Sequence, residues 1–272
     1  MDFEEKIYQF KKQKSKFVIA TIVDTKGSVP AKIASKIIIL SNGETFGTVG
    51  GGELENAVIQ KGLELLKNNR NQTYSFDLSQ SESDSSENVG MLCGGNVWVF
   101  FESITPKTEL YIFGGGHISQ SLQKIIDRQK FQIIIVDNRK DFANPKIHPN
   151  ADEVHCEDYD KFSNEFTPAE NSFIVIVTHG HKHDYEILRN IYKRKLKLKY
   201  VGMIGSKIKV KENVKALFDE IGKIALPNLF SPIGLKVGGN STYEIAISIV
   251  SEMQAVLYDK EISHLRMDYE KL

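Results

Sequence analysis

The sequence predicts an α/β protein with two domains. Its 272 residues fit two domains of ordinary size. From about residue 106 onward, apolar strands alternate strictly with helices, whereas the first hundred residues are rich in strands joined by turns. Strands that are apolar throughout and alternate with helices indicate a parallel sheet covered on both faces. We therefore expect a smaller N-terminal α+β domain over residues 1–105 and a doubly wound, Rossmann-like C-terminal domain over residues 106–272.

The N-terminal domain is predicted to contain a β-hairpin. Two β-branched runs, at residues 17–23 and 37–40, precede Ser41-Asn42-Gly43, a turn sequence that predicts a return strand over residues 45–49. Apolar residues at helical spacing follow. The remaining predicted elements are a helix over residues 53–68, a mobile serine-rich loop over 77–88, a strand over 96–102 and a linker over 103–106.

The C-terminal domain is predicted as four strands and four helices. The strands cover residues 110–113, 133–136, 173–177 and 200–204, and the helices cover residues 117–129, 184–195, 206–221 and 241–258. In a parallel sheet the carboxyl ends of the strands meet at one edge, where open α/β sheets bind ligands. Residues that carry chemistry in the segment after each strand are therefore candidate ligand contacts.

Composition and charge exclude several classes of protein. The 35 basic residues balance the 35 acidic ones, which argues against nucleic acid as the main partner because such proteins need a basic excess. Two cysteines cannot form a disulfide framework, and the first residues lack an apolar signal-peptide core. No apolar run approaches the roughly 20 residues of a membrane span. The expectation is a cytoplasmic protein without a membrane partner.

A glycine-rich turn over Gly114–His117 opens the first helix of the C-terminal domain. In the dinucleotide-binding fingerprint, Gly114 makes the tight turn and Gly116 lets a pyrophosphate approach the helix N-terminus. Asp137 ends the next strand, where an acid meets a ribose hydroxyl, and Arg139 is either a phosphate contact or a surface arginine. Ser119 replaces the third glycine, so the pattern indicates a ligand but not specifically NAD. The alternative is a turn that binds nothing.

A second glycine run, Gly50, Gly51 and Gly52, precedes the N-terminal helix. Its N–H groups and the helix dipole favour an anion. Glu55 either accepts a hydrogen bond from a ligand amine or, with Glu53, stabilises the helix end.

Cys93, Gly94 and Gly95 form a third candidate site. A thiol in a glycine turn is accessible to a bulky ligand, and a thiolate suits molybdenum, copper or sulfur chemistry. The alternative, which the residues favour equally, is a small buried side chain in a tight turn.

Three histidines, His179, His181 and His183, follow the strand at residues 173–177. The first two are interpreted as lining a ligand cleft, with a hydrogen-bonded turn as the second interpretation and a metal site as the third. The string lacks the His-x-His-x-Asp-His order of β-lactamase-type metallohydrolases, since His183 and Asp184 are transposed. Ligand binding through these imidazoles is expected to depend on pH between roughly 6 and 8.

Gly205 and Ser206 open another helix at a strand end. Ser206 is a plausible N-cap, and Lys207, Lys209 and Lys211 either draw a phosphate inward or form a solvated basic face.

Taken in order, these motifs resemble the XdhC/CoxI family of xanthine dehydrogenase accessory proteins over almost the whole chain. The matching elements are Gly27-Ser28-Val29-Pro30, residues 48–55, residues 90–95, Gly114–His117, Asp137-Asn138-Arg139, Thr178–His181, residues 202–206 and residues 231–235. The resemblance implies a protein that binds the molybdenum cofactor (molybdopterin) and protects it while a cysteine desulfurase installs its terminal sulfur. It also implies insertion into a molybdenum hydroxylase such as xanthine dehydrogenase, no catalytic residues of its own, and a homodimer.

Two other functions remain open from the sequence. A Rossmann-like domain also fits an NAD(P)-dependent oxidoreductase, although no acid/base pair for hydride transfer is evident. A metal-dependent hydrolase would use His179, His181 and His183, but no second ligand motif completes a coordination sphere.

Overall fold

The computed structural model describes residues 2–78, 87–88 and 95–267, with the backbone alone described at 87–88. The chain divides into two compact units, residues 1–106 and 107–272. Within the described residues, no helix is long and apolar enough to cross a membrane.

In its described residues, unit 1 contains a six-stranded sheet and two helices. Its elements are α1 (Phe3–Lys12), β1 (Phe17–Gly27), β2 (Lys36–Leu40), β3 (Thr45–Gly47), α2 (Gly52–Lys67), β4 (Gln72–Asp77), β5 (Glu87–Asn88) and β6 (Gly95–Ile104). The strands run in the order β3-β2-β1-β6-β4-β5, antiparallel except for the β4–β5 pair. The predicted hairpin is therefore present as β2 and β3.

Strand β1 points its side chains alternately to the two faces of this sheet, and both faces are covered. Val18 and Ala20 belong to the core that α2 closes with Leu54 and Val58. Phe17 faces the other way, into a smaller cluster with α1 side chains. The α1 helix begins with a capping box between Asp2 and Glu5, which satisfies its first free N–H groups.

Several N-terminal boundaries differ from the sequence-based ones. The predicted linker begins inside β6, where the Ser103 N–H and hydroxyl donate to Asn71 and to the Arg70 carbonyl. Strand β4 was missed because its first residues are exposed and polar. Part of the predicted loop pairs instead, since Glu87–Asn88 adds a short parallel strand to β4. The rest of that loop after residue 78 lies outside the described residues.

Unit 2 is a doubly wound sheet of six parallel strands, which confirms the predicted fold class. Its elements are β7 (Thr108–Phe113), α3 (His117–Ile125), β8 (Phe131–Asp137), β9 (Glu153–Cys156), α4 (Tyr159–Glu165), β10 (Ser172–Ile176), α5 (His181–Lys193), β11 (Leu198–Met203), α6 (Lys207–Ile221), β12 (Leu229–Phe230) and α7 (Thr242–Leu257). The order β12-β11-β10-β7-β8-β9 is that of a Rossmann sheet. From β7 the chain adds β8 and β9 on one side, and it then crosses over to add β10, β11 and β12 on the other side. The boundary between β7 and β10 is therefore the topological switch point.

The two faces of this sheet carry different helices. Helices α3 and α7 pack on one face through residues such as Leu122 and Ile249. Helices α4, α5 and α6 cover the other face through Tyr159, Ile187 and Leu217. Burial on both faces explains why central strands such as β10 are apolar almost throughout.

Two helix boundaries in unit 2 affect the site. Helix α3 ends at Ile125 rather than at residue 129, because the Asp127 side chain accepts a hydrogen bond from the Gln129 N–H and forms a turn. Helix α5 begins at His181 rather than at Asp184, so His181 and the next histidine lie on its first turn.

Candidate functional site

The glycine turn after β7 combines two packed glycines with one open glycine. Gly114 has φ +111°, and a Cβ there would collide with the Val177 carbonyl oxygen at the end of β10. A Cβ on Gly115 would collide with the Phe142 carbonyl oxygen. Gly116 caps α3, and its Cβ would meet no atom of the described chain within 4 Å. The N-terminus of α3 is therefore open above Gly116, beside the switch point.

Asp137 holds this turn in place. It is fully buried and accepts hydrogen bonds from the Gly115 N–H (2.7 Å) and from Nε (2.9 Å) and Nη2 (2.8 Å) of Arg139. Burial alone would raise the pKa of Asp137, but the hydrogen bonds from Arg139 and Gly115 outweigh it and lower the pKa below its usual value. The carboxylate thus binds the turn and Arg139, which differs from the expected contact with a ribose hydroxyl.

Arg139 connects this buried carboxylate to the surface. Its side chain is one-third exposed, and its guanidinium stacks on the Phe142 ring at 3.8 Å from the centroid. The bonds to Asp137 use Nε and Nη2 but not Nη1. Arg139 can therefore present N–H donors to an anion while it stays paired.

The histidines after β10 lie beside each other and beside Tyr159. The His179 ring lies 5.1 Å from the His183 ring and 6.2 Å from the Tyr159 ring, measured between centroids. Partial burial, followed by the charges of Arg139 and His183, lowers the pKa of His179, and Asp137 offsets this in part. Nδ1 of His183 lies 3.1 Å from Glu186. His179 is therefore neutral at neutral pH, and it lies close enough to Arg139 for that positive charge to act on it.

The start of α5 contacts the start of α6. Nε2 of His181 contacts Nζ of Lys209, and the Ser206 hydroxyl caps α6 by accepting from the Lys209 N–H. A Cβ on Gly205 would make only an ordinary contact with Val210, so this glycine is not required by packing. The Lys209 ammonium thus donates to Nε2 of His181, and both exposed side chains lie between two helix N-termini.

No metal centre forms from these groups. Within residues 2–78 and 95–267, no group of three His, Cys, Asp or Glu side chains is arranged to hold a metal ion. Asp184, next to the histidines, is buried and instead accepts from the Thr178 hydroxyl at 2.6 Å. Burial raises the pKa of Asp184. This geometry gives the metal-hydrolase hypothesis no ligand set in the described part of the chain.

Sequence reasoning missed two residues beneath this edge. His148 is buried, and its Nε2 lies 2.8 Å from the Phe142 carbonyl that packs on Gly115. Tyr159, the first residue of α4, is also fully buried and packs against His179. Neither lies in a motif, and their positions depend on a long connection after β8 that has no periodic pattern.

The glycine run of unit 1 is satisfied by its own helix. Gly50, Gly51 and Gly52 have φ values of +126°, +74° and +64°. Glu55 turns back and accepts from the Val49 N–H at 3.1 Å and the Gly51 N–H at 3.4 Å, and also from the Thr48 hydroxyl. Of the two interpretations left open for Glu55, the contacts match the stabilisation of the helix end.

The cysteine motif is described only in part. Cys93 and Gly94 lie outside the described residues. Gly95 begins β6 opposite Gly27, where a Cβ would collide with the Lys26 carbonyl oxygen. Cys156, which ends β9 beside Asp137, is a free and exposed thiol.

We expect the pKa of His179 to lie below 6.5, because the imidazolium would be partly desolvated and would face Arg139 and His183. NMR titration of the His179 ring protons measures it directly. The replacement Arg139→Met should raise this pKa by removing a positive charge. A midpoint at or above 6.5 in the unmodified protein would contradict the geometry. The expected pH window for ligand binding therefore moves downward from the 6–8 interval.

The fold defines a protein with a Rossmann-type unit, whose first helix has an open N-terminus. The family model described as XdhC Rossmann domain matches residues 110–253, and the one described as XdhC and CoxI family matches residues 11–77. The chain belongs to the XdhC and CoxI family.

Individual relatives share parts of this chain. YqeB of Escherichia coli K12, described as uncharacterized, is 25% identical over 250 residues, which cover 91% of this chain and 45% of YqeB. A Bacillus subtilis 168 protein, described as a probable component of xanthine dehydrogenase, is 28% identical over 155 residues, which cover 57% of this chain and 44% of that protein. The chain thus spans less than half the length of these curated relatives.

A solved structure shares the fold. The crystal structure of a Bacillus halodurans protein described as a xanthine dehydrogenase aligns with a TM-score of 0.52 at 22% identity. The alignment covers 96% of this chain and 97% of that one.

Proposed function

We propose that this protein binds the molybdenum cofactor, protects it during sulfuration and inserts it into a molybdenum hydroxylase such as xanthine dehydrogenase. Membership of the XdhC and CoxI family supports an accessory role of this kind. The observation that carries the proposal is the open N-terminus of α3 at Gly116, with Arg139 and His179 near the same end of the sheet. Together they suit a cargo with a phosphate tail.

Each of these groups has a distinct task in the proposal. The N–H groups above Gly116 donate to the cargo's phosphate at the positive end of the helix. Arg139 adds charged donors, held in orientation by Asp137 and by stacking on Phe142. His179 donates a neutral imidazole N–H or, at lower pH, adds positive charge. None of these residues needs to transfer a proton. Their proposed role is therefore to bind and protect the cargo, without a catalytic step.

Unit 1 has a separate task in the proposal. Cys93 is the candidate contact for the molybdenum end of the cargo, because a thiolate is a soft ligand. Gly50, Gly51 and Gly52 shape the start of α2, with Glu55 fixing the loop.

The replacement Cys93→Ser should reduce retention of the cofactor about tenfold and leave the thermal midpoint unchanged, because oxygen is a harder and weaker ligand for molybdenum. Anaerobic titration with released cofactor measures the dissociation constant. The matched control is Cys156→Ser, which removes an exposed thiol of unit 2 and should change neither quantity. Equal dissociation constants for Cys93→Ser and the unmodified protein would make Cys93 structural.

The NAD(P)-dependent oxidoreductase is the alternative for the same unit. A dinucleotide needs an acid free to bind the ribose, but Asp137 is buried and accepts from Gly115 and Arg139. That arrangement weighs against NAD and favours a ligand recognised mainly by its phosphate.

The partners follow from the proposed task. A cysteine desulfurase supplies the sulfur, the hydroxylase receives the finished cofactor in the cytoplasm, and the protein acts as a homodimer. Size measurement in solution tests the last point.

Transfer of cargo tests the proposal. The protein, isolated from cells that make the cofactor, is mixed anaerobically with cofactor-free xanthine dehydrogenase, and activity is followed over time. We expect activation that requires the loaded protein and is lost with Gly116→Val. Activation by free cofactor at the same rate, with no effect of the protein, would refute insertion.

A further inference from the structure

A buried histidine, His148, lies against the glycine turn before α3. It is 1% exposed, and both of its ring nitrogens have partners. Nε2 lies 2.8 Å from the Phe142 carbonyl oxygen, and Nδ1 lies 2.6 Å from the side-chain nitrogen of Gln123. Because a carbonyl oxygen only accepts hydrogen bonds, Nε2 of His148 carries the proton. Nδ1 then accepts from the Gln123 amide.

The Gln123 side chain supports the same tautomer. Its amide nitrogen also lies 3.1 Å from the Ser119 carbonyl oxygen, which fixes the nitrogen, rather than the amide oxygen, on the side of His148. A protonated His148 would therefore oppose one N–H group to another. Burial lowers the pKa of His148, although the Phe142 carbonyl and the charge of Asp137 act in the opposite direction. His148 is thus a neutral donor to Phe142 at neutral pH.

Phe142 contacts both the glycine turn and Arg139. Its carbonyl oxygen packs so closely on Gly115 that a Cβ there would collide with it. Its ring stacks on the Arg139 guanidinium, with Cζ 3.8 Å from the ring centroid. Its backbone N–H donates to the Arg139 carbonyl at 3.0 Å, which closes a turn between the two residues. A displacement of Phe142 would therefore move Arg139 relative to the turn that leads into α3.

We propose that His148 is a positioning residue that fixes Phe142, so that Arg139 and the N-terminus of α3 are held in place to bind one phosphate group. The histidine links α3, through Gln123, to the connection after β8, through Phe142. Because His148 is buried, it acts on the ligand through Phe142 and not by contact. This inference deepens the proposed function and rests on it only for the identity of the cargo, because any phosphate bound at this helix end would depend on the same geometry.

Two replacements of His148 separate its hydrogen bond from its packing. His148→Gln keeps an N–H donor for the Phe142 carbonyl, because a glutamine amide can occupy the position of Nε2. His148→Leu fills similar space but offers no donor. We expect His148→Leu to bind inorganic pyrophosphate about tenfold more weakly, and His148→Gln to bind it within about twofold of the unmodified protein. Isothermal titration calorimetry at pH 7 measures both affinities.

A hydrogen bond elsewhere in the unit controls for general destabilisation. The Tyr192 hydroxyl on α5 donates to Asn228 at 3.0 Å, and Tyr192→Phe removes this bond. We expect Tyr192→Phe to lower the thermal midpoint, as His148→Leu does, and to leave the affinity for pyrophosphate unchanged. Unchanged affinity in His148→Leu would overturn the inference. Equal weakening by His148→Leu and His148→Gln, or by His148→Leu and Tyr192→Phe, would overturn it as well.

NMR tests the geometry without a ligand. Nitrogen spectra of the unmodified protein should show the His148 proton on Nε2, and a proton on Nδ1 would contradict the inference. This measurement holds even where a variant fails to fold. In His148→Leu the Nε–H signal of Arg139 should shift, because the Phe142 ring is no longer fixed against the guanidinium. The same signal should stay in place in His148→Gln.

The two proposals fail in distinguishable ways. If the unmodified protein binds pyrophosphate with this dependence on His148 but does not bind the molybdenum cofactor, the positioning role stands and the cargo assignment falls. If it binds the cofactor and His148→Leu binds it equally well, the cargo assignment stands and the positioning role falls.

Discussion

The replacement Gly116→Val should reduce cofactor binding by at least about 100-fold, which corresponds to about 2.8 kcal/mol. The new side chain would stand over the N-terminus of α3, in the open space where a phosphate must approach the backbone. The fold should survive, because Gly116 has φ −72° and its Cβ meets no described atom within 4 Å. We expect a loss of stability within about 1 kcal/mol, as for an altered helix cap.

Binding and the thermal midpoint need to be measured on the same samples. Gly116→Ala should have an intermediate effect on affinity, because a methyl group fills less of the approach. Gly114→Ala is the contrasting control, since its side chain would collide with Val177 at a φ of +111° and should destabilise the unit. Undiminished cofactor retention by folded Gly116→Val would remove the site from this helix end.

The replacement Arg139→Met should destabilise unit 2 by about 3 kcal/mol at pH 7. It keeps the apolar stem against Phe142 but leaves the buried Asp137 charge with backbone donors alone. We take the lower end of the range for broken buried pairs because Arg139 is one-third exposed. Urea unfolding at pH 7 and pH 5 measures the effect.

The dependence on pH should change direction in this variant. In the unmodified protein the pKa of Asp137 is lowered, so its contribution to stability is present above the unfolded pKa of about 3.9 and is lost as pH falls below it. Without Arg139, burial raises the folded pKa, so the variant should gain stability as pH falls from 7 to 5. The control Lys197→Met removes an exposed pair with Glu170 and should change neither quantity measurably. Equal destabilisation at both pH values would show that the Asp137 charge is not the cause.

The fold was predictable because strands buried on both faces have a distinctly apolar composition. Strands such as β8 and β10 are apolar throughout, as expected for a parallel sheet covered on both faces. The elements that the sequence did not predict lack this apolar composition. Strand β9 is a four-residue edge strand with exposed ends, and α4 has only seven residues. Their existence depends on docking against neighbours that one sequence does not reveal.

Site residues that belong to a turn directly after a strand were predictable. Site residues whose position depends on tertiary packing were not. The glycine turn and the histidines lie directly after strands, so Gly116 and His179 could be assigned to one sheet edge from topology alone. The partner of Asp137 could not be predicted, because an acid that binds a ribose and a buried acid paired with Arg139 would stand at the same position in the sequence. Tyr159 was missed because nothing local distinguishes it from any tyrosine at the start of a helix.

The amount of molybdenum cofactor bound to the isolated protein tests the proposed cargo. The protein is produced in cells that synthesise the cofactor and in a strain that cannot, isolated without oxygen, and analysed for molybdenum, pterin fluorescence and phosphate. We expect molybdenum and pterin in equal amounts, approaching one of each per chain, only from the first strain, and almost none with Gly116→Val. A freshly isolated protein that contains neither, and that binds reduced nicotinamide dinucleotide instead, would contradict it.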